Sequence, residues 1–207
     1  MRPSLAYDTL LTTLRGRRSI RRYKNEPLPD GALEKLIEAA NWAPSANNRQ
    51  GYRFLAVDNL AKLAEMAALV REAWRAGVAT LPESERNTVA DYGKYMTFFD
   101  TAPLVLFPYH REGNPVAARM GMPEGYDHSG VASVSAAITN ILLAAHTLGL
   151  GACWMTGPLV AGPALETLLG IPPGWRLSAV IPVGVPDEDP PAPKRRGLPH
   201  LLLKAKP

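Results

Sequence analysis

Cysteine is nearly absent from this 207-residue chain. The one thiol, Cys153, excludes an intramolecular disulfide and fits a reducing compartment. Histidine is scarce too. His110, His128, His146 and His200 are not clustered, and no metal site is expected from them. No glycine-rich dinucleotide fingerprint follows a strand. The N-terminal stretch Met1 to Asp8 lacks the apolar core of a signal peptide, so a cytoplasmic protein is expected. The only long apolar run, Val131 to Met155, contains Ser133, Ser135, Thr139, Asn140 and His146 and is interrupted by Gly149 and Gly151. It reads as a buried helix leading into a strand, and no membrane partner is expected. No internal repeat or second domain is visible, so residues 1–207 are expected to form one domain.

What the chain does have is concentrated positive charge. Arg15, Arg17, Arg18, Arg21, Arg22 and Lys24 put six cations into ten residues, and five more fall in 194–206, where the chain's net charge is only +4. The body between and around these ends therefore carries a net −7. Charge this local calls for a local partner. Arginine forks suit bidentate contacts to phosphate, with Ser19 adding a hydroxyl. The alternative is a solvated basic turn between two helices. The sequence pI near 9.3 permits nucleic-acid binding, but the cations sit at two ends rather than along one face.

Along the chain, Leu5, Leu10, Leu11 and Leu14 predict a helix over 4–15, closed by Gly16, with the arginine stretch as an extended connector. A turn at 26–30 offers Asp30 as N-cap for a second helix carrying Leu33, Leu36, Ile37 and Ala40, which ends before Pro44. The amide-rich loop 43–51 follows. Its Asn48 and Gln50 offer donors and acceptors that suit a heteroaromatic ring edge, although the same residues make an ordinary turn. A strand is expected over 52–58 and a helix over 60–76 with Leu63, Met66, Ala67, Val70 and Trp74 on one face. Residues 77–93 are polar and weakly patterned, a mobile loop or short helix. Tyr92, Tyr95, Phe98 and Phe99 would either roof a pocket or pack in the core. A buried strand spans 102–109, and 111–126 form an excursion loop. A long helix runs over 127–148 with Val131, Val134, Ile138, Ile141, Leu142 and Ala145 as its stripe and Gly149 behind it. A short strand from Gly151 into a turn at Pro158, a helix near 163–169 and a strand over 175–184 complete the regular structure.

Four pieces in this order resemble the nitroreductase family of FMN-dependent oxidoreductases. They are Arg17-Arg18-Ser19-Ile20-Arg21, the segment Ala43 to Gln50, the run Ala136 to Met155 with its Leu-Gly-Leu-Gly-Ala-Cys-Trp-Met ending, and Ile181-Pro182-Val183-Gly184 followed by Lys194-Arg195-Arg196. The resemblance covers nearly the whole chain. It implies an α+β sandwich, a mainly antiparallel sheet wrapped by helices, assembled as an intertwined homodimer with two FMN sites at the interface. The element order, which is not a regular βαβ alternation, agrees with that.

By the same resemblance, Arg17, Arg18, Ser19 and Arg21 would hold the phosphate and ribityl chain of FMN, and Lys194 and Arg196 would close on the phosphate. Pro44, Ser45, Ala46 and Asn48 would reach FMN from the second subunit, with Gln50 close by. Backbone over 154–159, including Met155, Thr156, Gly157 and Pro158, would lie along the isoalloxazine. Lys94 or Thr97 would stand for a polar residue common in the family. The implied activity is a ping-pong transfer from NADH or NADPH, through FMN, to a small electron acceptor such as a nitroaromatic, quinone or activated alkene. No side chain is nominated as acid or base. His146 reads as structural, and Cys153 as packing rather than nucleophile. His128 and Tyr126 lie on a possible substrate loop. Alternatives are a flavin-dependent dehydrogenase on one specific substrate, a nucleic-acid or other anion-binding protein without catalysis, and a cofactor-free interaction module.

Overall fold

A computed structural model describes residues 4–123 and 125–202 of the chain. Lys204 and Lys206, part of the basic tail, lie outside the described residues. The chain order is α1 (Ser4–Gly16), α2 (Ala32–Asn41), β1 (Tyr52–Val57), α3 (Leu60–Ala79), α4 (Glu83–Ala90), β2 (Leu104–Arg111), α5 (Pro115–Arg119), α6 (Ser129–Thr147), β3 (Gly151–Ala152), α7 (Gly162–Leu169), β4 (Trp175–Leu177) and β5 (Ile181–Gly184). Short 3-10 turns cover Ala46–Asn48, Asp91–Tyr95, Phe98–Thr101, Gly157–Ala161 and Leu198–His200. Every strand pairing is antiparallel: β2 pairs with β1, β4 and β5, and β3 pairs with β5.

The sheet separates two apolar layers. On one side α2 and α6 pack Leu36, Ala40, Ile138, Ile141 and Ala145 against Leu106, Ile181 and Val183. On the other, α3 and α7 pack Leu63, Met66, Val70 and Leu165 against Val105, Phe107 and Val180. Strand β2 has buried side chains on both faces over Leu104–Phe107, as expected for the central strand of a two-sided sandwich. Helix α6 is long and apolar enough to cross a membrane by length and composition. Its buried stripe, Val134 to Ala145, instead packs into the first layer. Val131, expected in that stripe, is exposed.

Several local details differ from the sequence reading. Helix α2 starts after Gly31, held in the left-handed region at φ 72°, and Asp30 makes no cap. Of the two readings of the polar 77–93 stretch, mobile loop or short helix, the helical one holds, in the end of α3, α4 and the turn Asp91–Tyr95. The loop 111–126 contains α5, capped by the Asn114 side chain, which accepts from Val116 N and Ala117 N.

The expected strand over 175–184 is broken into β4 and β5. Both pair with β2, but Tyr109 faces Leu177 whereas Leu106 faces Ile181. Three steps along β2 are thus matched by four on the other strand, and one residue is extra. Pro108, which has no N–H to donate, sits at the break and accepts from Ser178 N at 2.8 Å. The bulge frees Val180 to exchange both backbone hydrogen bonds with Met155, at 3.0 and 2.9 Å. This fixes the start of the segment 155–158.

Candidate functional site

The arginine stretch is pinned along the edge of the sheet as an extended connector. Ile20 N donates to Ala152 O at 3.1 Å, and Lys24 N donates to Val185 O at 2.9 Å. Ile20 is buried and fits only because residue 151 is glycine: a Cβ there would lie 2.6 Å from Ile20 Cγ2. Tyr23 locks the far end, its hydroxyl directed at Ile20 O (2.5 Å) and Pro182 O (3.2 Å). Burial, chiefly, pushes the Tyr23 phenol far above its ordinary range, with the neighbouring Cys153 thiol, once ionised, and the Glu188 carboxylate adding to it. Glu188 accepts from Arg21 N at 2.5 Å and Arg22 N at 3.3 Å, and its other oxygen pairs with Arg22 Nε at 3.4 Å. The segment after β5 is thereby tied to the arginine stretch.

Two cavities meet along this edge. The first, about 270 Å³, is lined by Arg17, Arg18, Ser19, Arg21 and Arg195, with prolines of the 190–193 run closing it. The second, about 490 Å³, is lined by Tyr92, Tyr95, Phe98 and Trp154 and by the segment Met155–Gly157, with Arg21 at its rim. Arg21 belongs to both. A cationic recess therefore opens at one residue into an aromatic slot. Gly157 lets Met96 pack directly on the backbone of this wall, because a Cβ there would collide with the Met96 sulfur. Trp154 lines the slot, and among the described residues its buried indole N–H has no partner.

Cys153 lines the slot from below and is buried. Burial pushes its thiol up, against the opposing influence of Arg21, a hydrogen bond from Ser19 and Arg17. A protonated, buried thiol is a poor nucleophile, in keeping with packing.

The nominated residues distribute as follows. Arg17, Ser19, Arg21, Met155, Thr156 and Gly157 come together around the two cavities. Pro158 is buried at the start of the turn that follows. Arg18 lines the recess, but its Nη1 donates to Arg15 O at 2.6 Å and Arg17 O at 2.9 Å, which caps the C-terminus of α1. From the tail it is Arg195 that lines the recess and Lys194 and Arg196 that do not, although all three are exposed. Proximity in sequence could not tell which of three consecutive cations borders the recess.

The segment Pro44–Gln50 lines neither cavity. Ala46 and Gln50 border two other depressions, on the α6 and β1 sides. This segment is strained: Asn47, Asn48 and Gln50 all have φ near +50°. It is held by Ser45 Oγ accepting from Gln50 N (2.9 Å), Gln50 Nε2 donating to Asn48 Oδ1 (3.2 Å) and Ala46 N donating to Ser133 Oγ (3.2 Å).

The aromatic cluster divides between both of its expected roles. Phe99 is core, edge-on to Phe107 at 6.5 Å, while Tyr92, Tyr95 and Phe98 face the slot. Lys94 and Thr97 point to a different cavity and do not line the slot. His146 packs against Gly16 where α1 crosses α6 and is structural. His110 is buried with Nδ1 2.7 Å from Ser178 Oγ. Among the described residues no group of His, Cys, Asp or Glu could hold a metal ion.

Comparison with known proteins identifies relatives of the whole chain. A 5,6-dimethylbenzimidazole synthase from Rhodobacter capsulatus is 31% identical over 187 residues, covering 87% of this chain and 84% of that protein. A BluB-like flavoprotein from Clostridium difficile 630 superposes with a TM-score of 0.84 over 95% of this chain and 99% of its own, at 24% identity, and so shares the fold. A nitroreductase-type protein from Desulfovibrio desulfuricans, solved in complex with FMN, superposes with a TM-score of 0.70 at 29% identity, covering 95% of this chain and 96% of its own. A family model described as the nitroreductase family matches residues 14–185, and the chain belongs to the nitroreductase family.

Proposed function

We propose that the chain is an FMN-dependent oxidoreductase that passes hydride from NADH or NADPH to a small planar electron acceptor, with donor and acceptor using one slot in turn. The observation that carries this reading is the sharing of Arg21 by a cationic recess and an aromatic slot. An elongated ligand with a phosphate at one end and a flat ring system at the other fits that pair, and FMN is such a molecule. Its fit is supported by the orphaned Trp154 N–H in a residue that lines the slot.

FMN, when bound, supplies the capacity to accept and release hydride. The chain's own residues bind, orient and shield. Arg17, Arg21 and Arg195 offer guanidinium forks, and Ser19 a hydroxyl, for the phosphate. Met155, held to Val180 by two backbone bonds, presents Thr156 and Gly157 as a rigid wall. Tyr92, Tyr95 and Phe98 cover the slot with apolar rings, which exclude water and favour flat acceptors: nitroaromatics, quinones or activated alkenes. Among the described residues no ionised side chain besides Arg21 lines the slot, so none of its residues is assigned as general acid or base.

We further infer a homodimer. Leu5, Leu10 and Leu14 of α1 are 81%, 53% and 46% exposed, and Trp42 at the end of α2 is 81% exposed. An apolar face of this kind on a water-soluble fold calls for a cover. A second protomer would also bring the strained Pro44–Gln50 segment to the first protomer's slot.

The test is the visible spectrum of the desalted protein after incubation with FMN, followed by anaerobic titration with NADH and NADPH. A retained flavin band that bleaches with one of them supports the reading. A folded, colourless protein refutes it.

A further inference from the structure

A second cavity of about 530 Å³, as large as the slot, lies on the other side of the turn Asp91–Tyr95, against the second half of α3. Trp74, Val78 and Ala79 give it an apolar floor, and Arg71, Arg75 and Lys94 stand around it. Gly93 lets the turn lie directly on the indole: a Cβ there would be 2.8 Å from Trp74 Nε1. The charges are unbalanced. Arg71 pairs with Asp100 at 3.4 Å. Among the described residues, neither Arg75 nor Lys94 has a carboxylate within 4.0 Å, and Lys94 Nζ instead sits 5.3 Å from the Tyr95 ring centroid.

Two uncompensated cations beside an apolar floor define a ligand by its chemistry. A fully hydrated inorganic anion would leave the floor unused, and a neutral hydrocarbon would leave the cations unused. We propose that this cavity is a second ligand site that takes an apolar monocarboxylate, its headgroup between Arg75 and Lys94 and its body on Trp74, Val78 and Ala79.

The site communicates with the slot by construction. In the turn and the residues after it, Tyr92 and Tyr95 line the slot, Gly93, Lys94 and Thr97 line the outer cavity, and Met96 lines both. A ligand held by Lys94 and Gly93 therefore biases where Tyr92 and Tyr95 stand. This coupling, unlike the binding itself, rests on the flavin reading above, and it predicts that the acceptor's KM changes with outer-site occupancy.

Octanoate is the suitable probe, because it has no ring to stack in the slot and no visible absorbance. It is titrated calorimetrically into the protein as purified after FMN incubation. We expect one octanoate per chain, R75Q and K94Q each weakening binding by about tenfold through loss of one charge-assisted contact, V78W abolishing it by filling the floor, and octan-1-ol binding more weakly than octanoate. Circular dichroism of each variant checks the fold. Absence of saturable binding, or binding equal in R75Q, K94Q and wild type, overturns the proposal. Binding that shifts the flavin band and survives V78W places octanoate in the slot and overturns it too. A colourless protein that still binds octanoate through Arg75 and Lys94 refutes the flavin reading alone, and a yellow protein that ignores octanoate refutes this proposal alone.

Discussion

Replacing Gly151 with alanine puts a methyl group 2.6 Å from Ile20 Cγ2, 2.7 Å from its Cβ and 2.8 Å from its Cγ1. Ordinary carbon contacts are about 3.5–4.0 Å, so about 1 Å must be found. A rotamer change cannot supply it. The Cβ is itself one of the three atoms in conflict, and Ile20 is stiff at χ1 and only 7% exposed. The backbone of residue 20 has to move, and its neighbours are Ser19 and Arg21, which line the cationic recess. Overpacking of this kind costs about 1–3 kcal/mol. In a domain of this size each kcal/mol lowers Tm by about 2–4 °C. Displacement of the two flanking ligands should cost at least one charge-assisted hydrogen bond to the phosphate, or about a tenfold rise in the FMN Kd.

The control is the same substitution at Gly77, an exposed position inside α3 with nothing within 4 Å of its would-be Cβ. There alanine should raise stability by about 0.5–1 kcal/mol through helix propensity alone. Tm by calorimetry and Kd by quenching of FMN fluorescence, measured on both variants, decide the matter. If G151A matched G77A in both, the close approach of Ile20 to β3 would not be what positions the arginines.

The remaining predictions concern charge and protonation. R17A/R21A should weaken FMN binding by at least about 100-fold, since two charge-assisted contacts at about 1.5 kcal/mol each are lost, while far-UV circular dichroism stays unchanged; flavin retention equal to wild type would refute the phosphate assignment. Tyr23 is raised by burial, so the native state keeps a proton that the unfolded chain releases above about pH 10. Its contribution to stability is therefore full below that pH and lost as pH rises beyond it, and Y23F should flatten the alkaline limb of a Tm–pH profile while losing about 1 kcal/mol or more at neutral pH. His110 is lowered, chiefly by burial, so the unfolded chain binds the extra proton first. Stability should fall as pH drops below about 6.5, and H110Q should show a shallower acid limb. E188Q removes the charge that ties the 188 region to Arg21 N and Arg22 Nε and should lower Tm by a few degrees, an effect that high salt reduces in wild type.

What the sequence discloses about this fold depends on where the deciding partner sits. Helix α6 and strand β2 carry their instructions locally, as an apolar stripe and a continuous apolar run, and both form where expected. The arginine stretch is equally plain, because its meaning is composition within seven residues. The break between β4 and β5 is not legible in 175–184, because its cause is Pro108 on the facing strand, about seventy residues earlier. Nor can composition separate Arg195 from Lys194 and Arg196, or Arg18 the helix cap from Arg17 the recess cation, since all are exposed-type residues whose direction is set by tertiary contacts. Helix α1 is the instructive case. Its leucine spacing correctly predicts a helix, yet Leu5, Leu10 and Leu14 face solvent in the single chain. A period of apolar residues reports that a face will be buried and is silent about which chain buries it. The same holds for the strained loop Pro44–Gln50. Three residues held near φ +50° cost about 1–3 kcal/mol each, and a cost of that size is kept where the conformation is used. Within one chain the segment borders neither the recess nor the slot. The homodimer proposed above would bury the exposed leucine face and give the strained loop a use, two consequences that a monomer would lack.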